Sequence, residues 1–395
     1  MAGRAWCRRV VGAALAAVLL GTSCSAPAPR DSAATAVEAL LERRAEAVLG
    51  RDEEAYAATG GPGAEFDHLA QVPLHSWTYR LIRLDRTRTG ATATAALDYR
   101  IAGHDRAPVT VERTLDLRRR DGRWYVAAER PGPDAGEQLW EQGAVTAVRG
   151  ERSLVLGVGQ GESRLRRYAD LADRAVPAVQ RAWGRGWPGR VVVLVPDSTQ
   201  DMADLLGASA SSYQGIAAVT TGESGGGVKA PADRVIVNPE SYDLLGDLGQ
   251  QVVLTHETTH VATRAATSDA TPLWLSEGFA DWVGYRGTGR APEQAAPEVT
   301  REVRAGRVPQ QLPDDAAFGF AGDAGRLARA YESGWLACRM IAERHGESAL
   351  VDLYRKAGAH PGREGAMAEA LRDVLGLTPE AFTRAWQDYL RRVLG

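Results

Sequence analysis

Lysine is almost missing from this chain of 395 residues: of its 47 basic residues only Lys229 and Lys356 are lysines. Alanine is abundant in return, a bias that a GC-rich genome imposes on any protein, and no function is read from it. Cysteine is scarce too. Cys7, Cys24 and Cys338 are too few for a disulfide framework. There is no long basic run and the net charge is −3, which argues against a nucleic-acid partner held through phosphates. No apolar run reaches the roughly 18 residues that read as a spanning helix. What is present is ordinary. Apolar residues at 44% and charged ones at 25% exclude wholesale disorder. The length allows two or three domains at roughly 150 residues each.

The first residues read as an export signal. Arg4, Arg8 and Arg9 precede an apolar run over 10–20, which has signal-peptide length. Leu19-Leu20-Gly21-Thr22-Ser23-Cys24 follows and resembles a bacterial lipobox, whose cysteine becomes the lipidated first residue of the mature protein. Gly21 departs from that pattern, since leucine is usual there. The expectation is a signal peptide over 1–23, lipidation of Cys24, a linker over 24–33, and a lipoprotein at the cell membrane outside the cytoplasm. The alternative is plain secretion after cleavage near Ala26 or Ala28. Cys338, near Leu327, Trp335 and Ile341, is expected to be a packed core thiol.

Two folded regions follow. Residues 34–58 place Val37, Leu40, Leu41, Ala45 and Val48 at three- and four-residue steps, the helical period. After a break at 60–63 the period becomes two. Ala91, Ala93, Ala95, Leu97, Tyr99 and Ile101 share one face; Val109, Val111, Leu115 and Leu117 share another. Asp121-Gly122 then turns the chain into Trp124-Tyr125-Val126. No catalytic pair stands out here, and His68, His75 and His104 read as loop or surface residues. Helices first and a curved antiparallel sheet after resemble the cone-shaped domain of the nuclear-transport-factor-two-like superfamily, and "DGRWYVAAE" is similar to its last strand. The expected class is α+β, with this cone domain over 34–135, a linker over 136–151 and a second domain over 152–395. That domain is expected to hold a mixed sheet part and a helical C-terminal part. An exposed strand is expected over 216–219. Near the end, Thr378-Pro379 caps a helix with Phe382, Trp386, Leu390 and Val393 on one stripe.

The chemistry stands in the second domain. Asp247 and Gln250 read as a capping-box start for a helix reaching about residue 265. Inside it lies His256-Glu257-Thr258-Thr259-His260. Four residues advance a helix by about 400°, so both imidazoles face one way, one turn apart. That separation lets two nitrogens share one tetrahedral Zn²⁺ at about 2.0–2.1 Å each. Glu257 is turned about 100° from His256, beside the metal, where it can take a proton from a water. Sixteen residues separate His260 from Glu277, which stands in the segment "LWLSEGFADWVGY". Ser276 is expected to cap a second helix, and Glu277 to supply the third ligand, leaving one position open as in catalytic zinc. Asp281, four residues on, shares that face and can fix the tautomer of a ligand histidine. Asp269, in the intervening loop, is the alternative third ligand.

This pattern resembles the gluzincin metallopeptidases, the clan of thermolysin and the zinc aminopeptidases. The resemblance maps HExxH onto His256, Glu257 and His260, and the following glutamate and its Glu-x-x-x-Asp partner onto Glu277 and Asp281. The segment "AYESGWLACRMIAERHG" is similar to the aminopeptidase stretch whose Tyr-Glu-x-Gly tyrosine stabilises the transition state, which implies that role for Tyr331. His345 is the other candidate nearby. The Gly-Ala-Met-Glu-Asn exopeptidase motif is replaced by "YQGIAAVTTG". The resemblance thus implies a thermolysin-like fold for 152–395 and zinc-dependent cleavage of a peptide or protein substrate, more as an endopeptidase than an aminopeptidase. The rival expectation is a catalytically silent zincin-like module, with the cone domain recognising a partner.

Overall fold

The computed structural model describes residues 31–61, 63–221, 233–319 and 323–395. The expected export segment, Cys7 and Cys24 lie outside them. The first helical stretch forms α1 (Ser32–Gly50), with Val37, Leu40, Leu41 and Val48 buried, and α2 (Glu53–Ala58), capped by the Asp52 carboxylate. One helix was expected over 34–58; Arg51, with a φ of 56°, ends α1 in the left-handed region and divides it. Next come α3 (Ala64–His68) and a meander of β1 (Leu74–Arg86), β2 (Gly90–Ile101), β3 (Val109–Arg120) and β4 (Arg123–Pro131). Each strand pairs antiparallel with the next.

The period-two reading holds, since all six of Ala91, Ala93, Ala95, Leu97, Tyr99 and Ile101 are buried. The three alanines keep that half of β2 flat, and Val37, Leu40 and Leu41 of α1 pack over it. Asp121 (φ 50°) and Gly122 (φ 78°) put both central turn residues in the left-handed region, which joins β3 to β4 with Arg120 opposite Arg123. Under the sheet, fully buried Arg44 donates to Glu129 at 3.2 Å and to the Gly60 carbonyl at 2.7 Å. Arg113 reaches the same Glu129 at 3.3 Å and also pairs with Glu141. Buried charges persist only when paired in this way.

Residues 136–151 are not the linker expected. They carry α4 (Leu139–Gln142), which buries Leu139 and Trp140, and β5 (Thr146–Arg149), the edge strand of the second sheet. Their few apolar positions pack against both sheets, so no local period betrayed them. The second sheet runs β5, β6 (Ser153–Gly157), β7 (Val191–Val195), β9 (Val235–Val237), β8 (Ala218–Thr220). Helix α5 (Glu162–Trp183) crosses between the parallel strands β6 and β7, and α6 (Thr199–Leu205) follows β7. Strand β8 is antiparallel to β9 and, against expectation, buried.

The remaining chain is helical: α7 (Pro239–Tyr242), α8 (Asp247–Thr263), α9 (Leu273–Tyr285), α10 (Pro292–Ala295), α11 (Pro297–Arg304), α12 (Ala324–His345), α13 (Glu347–Gly358), α14 (Ala366–Ala370) and α15 (Pro379–Leu394). The α15 stripe is core, with Phe382, Trp386 and Leu390 buried and Thr378 capping Ala381 at 3.2 Å. Cys338 is the packed thiol expected: it is fully buried on α12, and burial pushes its pKa well up. Among the described residues no helix is long and apolar enough to cross a membrane.

Candidate metal centre

Three helices build the site. Helix α8 carries His256, Glu257 and His260, α9 carries Glu277 and Asp281, and α12 carries Tyr331. Both expected caps are corrected. Gly246, in extended backbone, is the N-cap of α8, and Asp247 lies inside its first turn. The Gln250 amide donates instead to the Leu245 carbonyl at 3.2 Å, and Tyr242 donates to the Gln250 carbonyl at 2.6 Å. Helix α9 starts behind Pro272, one turn before Ser276, and the Asp315 carboxylate accepts from its first amide, Leu273, at 2.9 Å. A cap borrowed from 42 residues away leaves no local signal. Glu277 therefore sits in the second turn, and all three candidate ligands are buried.

His256, His260 and Glu277 each present one ligand atom to a common point, all within 4.8 Å of one another. The Nε2 atoms of the two histidines are 3.0 Å apart, and Glu277 Oε2 lies 3.2 Å from the first and 3.4 Å from the second. A tetrahedral ion bound at about 2.0–2.1 Å has ligand–ligand edges of about 3.3–3.4 Å, so the triangle is of the right size. Asp281 Oδ1 stands 2.8 Å from His256 Nδ1. This fixes the proton on Nδ1 and turns a lone pair on Nε2 toward the other ligands. A carboxylate oxygen and an imidazole lone pair converging in a buried site need a cation between them, and the donor set suits zinc.

The electrostatics agree. Burial works against a charged imidazole, yet Asp281 and Glu277 outweigh it and raise the His256 pKa to about 10. Burial also disfavours ionised Glu277, but both histidines hold its carboxyl well below the ordinary range. The pocket therefore favours positive charge. Asp269 is exposed and is not in the converging group; its carbonyl accepts from Arg363 at 3.2 Å. The alternative third ligand is thereby set aside on geometry.

Glu257 lies beside the triangle, buried, with Thr220 Oγ1 donating to its Oε2 at 2.7 Å and to its carbonyl at 3.1 Å. Nothing in the sequence singled out Thr220, which reaches the site only because β8 runs along α8. The Tyr331 ring, half-buried, lies 6.2 Å from the His256 ring and 5.2 Å from that of Phe318. His345 is exposed at the far end of α12, fourteen residues or about 21 Å along the helix, and is not brought to the site.

No family model matches the chain, and no curated protein matches it. Solved structures that match include M1 zinc metallopeptidase mutants from Deinococcus radiodurans. One, bound to a Tyr-Ser-Ala substrate, is 15% identical with a TM-score of 0.34, over 75% of this chain and 60% of that one. Another match, a two-domain M1 zinc metallopeptidase mutant bound to L-arginine, is 14% identical with a TM-score of 0.36, over 75% and 61%. A function-unknown protein from Mycobacterium tuberculosis is 18% identical with a TM-score of 0.22, over 26% and 72%. The chain thus spans about three fifths of the length of the metallopeptidases it matches.

Proposed function

We propose that the protein is a zinc-dependent peptidase acting outside the cytoplasm. The observation that carries this reading is the convergence of His256 Nε2, His260 Nε2 and Glu277 Oε2 on one point, with Glu257 buried alongside. When bound there, Zn²⁺ supplies Lewis acidity toward a carbonyl oxygen and lowers the pKa of a water to about 7. Glu257 takes the water's proton and passes it to the leaving amine. Thr220 holds one oxygen of that carboxylate by its 2.7 Å hydrogen bond and so sets the direction of the other. Tyr331 donates a hydrogen bond to the oxyanion.

A peptide is the fitting substrate class. Strand β8 is the last of its sheet, and among the described residues no strand pairs with its outer edge. Internal cleavage is favoured over removal of terminal residues, because "YQGIAAVTTG" offers no carboxylate to hold a substrate's amino terminus. Cys24 supplies the lipid anchor in this reading.

The test is cleavage of an unstructured protein by the full chain, with and without a zinc chelator, next to Glu257→Gln. Cleavage should vanish under chelation and in the variant, while the variant retains its zinc. Zinc retention in wild type with no cleavage of any substrate would point instead to the silent binding module.

A further inference from the structure

The four-stranded sheet has two unlike ends. At one end the β2–β3 connection meets the metal-bearing domain. There the Gly103 carbonyl accepts from Arg190 at 3.1 Å, and Asp105 takes both forks of Arg234 at 2.8 Å. The opposite end is formed by the β1–β2 and β3–β4 turns, because the strands alternate in direction and Arg86, Gly90, Arg118, Arg120 and Arg123 are in register there. The first residues of α1 lie at this same end, where Asp31 pairs with Arg86.

That end is basic in a protein whose net charge is −3. It exposes Arg86, Arg88, Arg118, Arg119, Arg120 and Arg123. Within the two turns and their flanks the carboxylates are Asp31, Asp85 and Asp121; Arg86 takes the first and Arg83 the second. Arg118 rests on the Thr89 hydroxyl at 2.9 Å and Arg119 on the Gly122 carbonyl at 3.0 Å, both neutral partners. Arg119 and Arg120 also lie over the half-buried rings of Trp124 and Tyr125, 5.3 Å from each centroid. Guanidinium forks match phosphate oxygens, and Trp and Tyr favour headgroup depth.

We infer that this end of the sheet docks on a bilayer surface rich in anionic phospholipid. Strand β3 is 12 residues long, or roughly 40 Å, so the sheet then holds the metal-bearing domain away from the surface. The proposed anchor agrees in place, since six residues separate Cys24 from Asp31 and the seven steps between them reach at most about 25 Å. The charge distribution itself depends neither on the anchor nor on the peptidase reading.

The experiment uses the full chain carrying Cys24→Ser, which removes any acyl chain, and cosedimentation with phosphatidylcholine vesicles with or without phosphatidylglycerol. Binding should require phosphatidylglycerol and fall with salt. Combined Arg119→Ser, Arg120→Ser and Arg123→Ser should weaken it by about 100-fold, at about fivefold for each arginine removed. The three matching Arg→Lys changes should keep most of it. Zinc content, thermal midpoint and cleavage of a soluble substrate should stay at wild-type values in both variants. Equal binding to phosphatidylcholine, or no loss in the serine variant, overturns the inference. So does binding of a DNA oligonucleotide with no response to phosphatidylglycerol. Loss of peptidase activity alone would overturn the proposed function and leave the docking surface standing.

Discussion

Gly278 of α9 and Gly334 of α12 bring two helix backbones into direct contact. A Cβ built on Gly278 would fall 2.3 Å from the Gly334 carbonyl oxygen, and one built on Gly334 would fall 2.6 Å from the Trp274 carbonyl oxygen. Neither obstacle is a side chain that can swing aside. This crossing fixes how far Glu277, next to Gly278, stands from Tyr331, three residues before Gly334.

Gly278→Ala should therefore push α9 and α12 apart. Overpacking of this kind costs about 1–3 kcal/mol. Zinc should bind more weakly as well, because Glu277 moves with its helix. Gly249→Ala on α8 meets only the Leu245 side chain, at 3.3 Å, and serves as the mild control. Denaturant midpoints and zinc competition with a chelator read both effects. If Gly278→Ala matches Gly249→Ala in both, the crossing does not set the site.

The hydrogen bond between His256 and Asp281 gives the second prediction. Asp281→Ala should lower zinc affinity by about 10–100-fold, as expected for a partner that orients a ligand. His256→Ala, His260→Ala or Glu277→Ala should lose most of the metal outright. Asp269→Ala should leave it untouched, since that residue is exposed and outside the converging group. Metal analysis after dialysis decides it: loss in Asp269→Ala with retention in Glu277→Ala would move the third ligand.

Much of this was legible in the sequence because it is local. The spacing of His256 and His260 and the alternation over β2 follow from helix and strand periods alone. Gly278 and Gly334 sit inside the segments that drew attention, although only their contact across two helices gives them a reason. What stayed hidden is non-local. Thr220 reaches Glu257 across 37 residues, Asp315 caps α9 across 42, and residues 136–151 gain their structure only between two sheets. The basic end is intermediate. Arg118-Arg119-Arg120 is visible as a short run, but Arg86 and Arg88 join it only once the meander is paired.

Tyr331 is tested by deleting one oxygen. Tyr331→Phe keeps the ring against Phe318 and should leave folding and zinc content intact. Loss of one oxyanion donor typically lowers turnover by about 10²–10³, with little change in KM. His345→Ala should be silent, given its exposed place at the far end of α12. Steady-state kinetics on one peptide substrate separate the cases, and near-normal kcat in Tyr331→Phe would remove that residue from the mechanism.

The neighbouring Glu332 should make stability depend on pH. It is buried and accepts from the Glu298 and Val299 amides at 3.2 and 2.7 Å, capping α11 from α12. Burial raises its pKa from the ordinary 4.5 to about 7, against the opposing pull of the two amides. A carboxyl raised on folding binds its proton more tightly in the native state than in the unfolded chain. Its contribution is therefore full below about pH 4.5 and is lost as pH rises through about 7, by roughly 3 kcal/mol in all. Glu332→Gln keeps the shape and one acceptor but cannot ionise. The difference in unfolding free energy between wild type and this variant should shift by that amount, in the variant's favour, as pH rises from about 4.5 to 8. Taking the difference at each pH cancels the titration of His256, His260 and Glu277, which both proteins share. A difference that stays flat across the range would mean that Glu332 is already ionised in the native protein at low pH, with its two amide donors outweighing its burial.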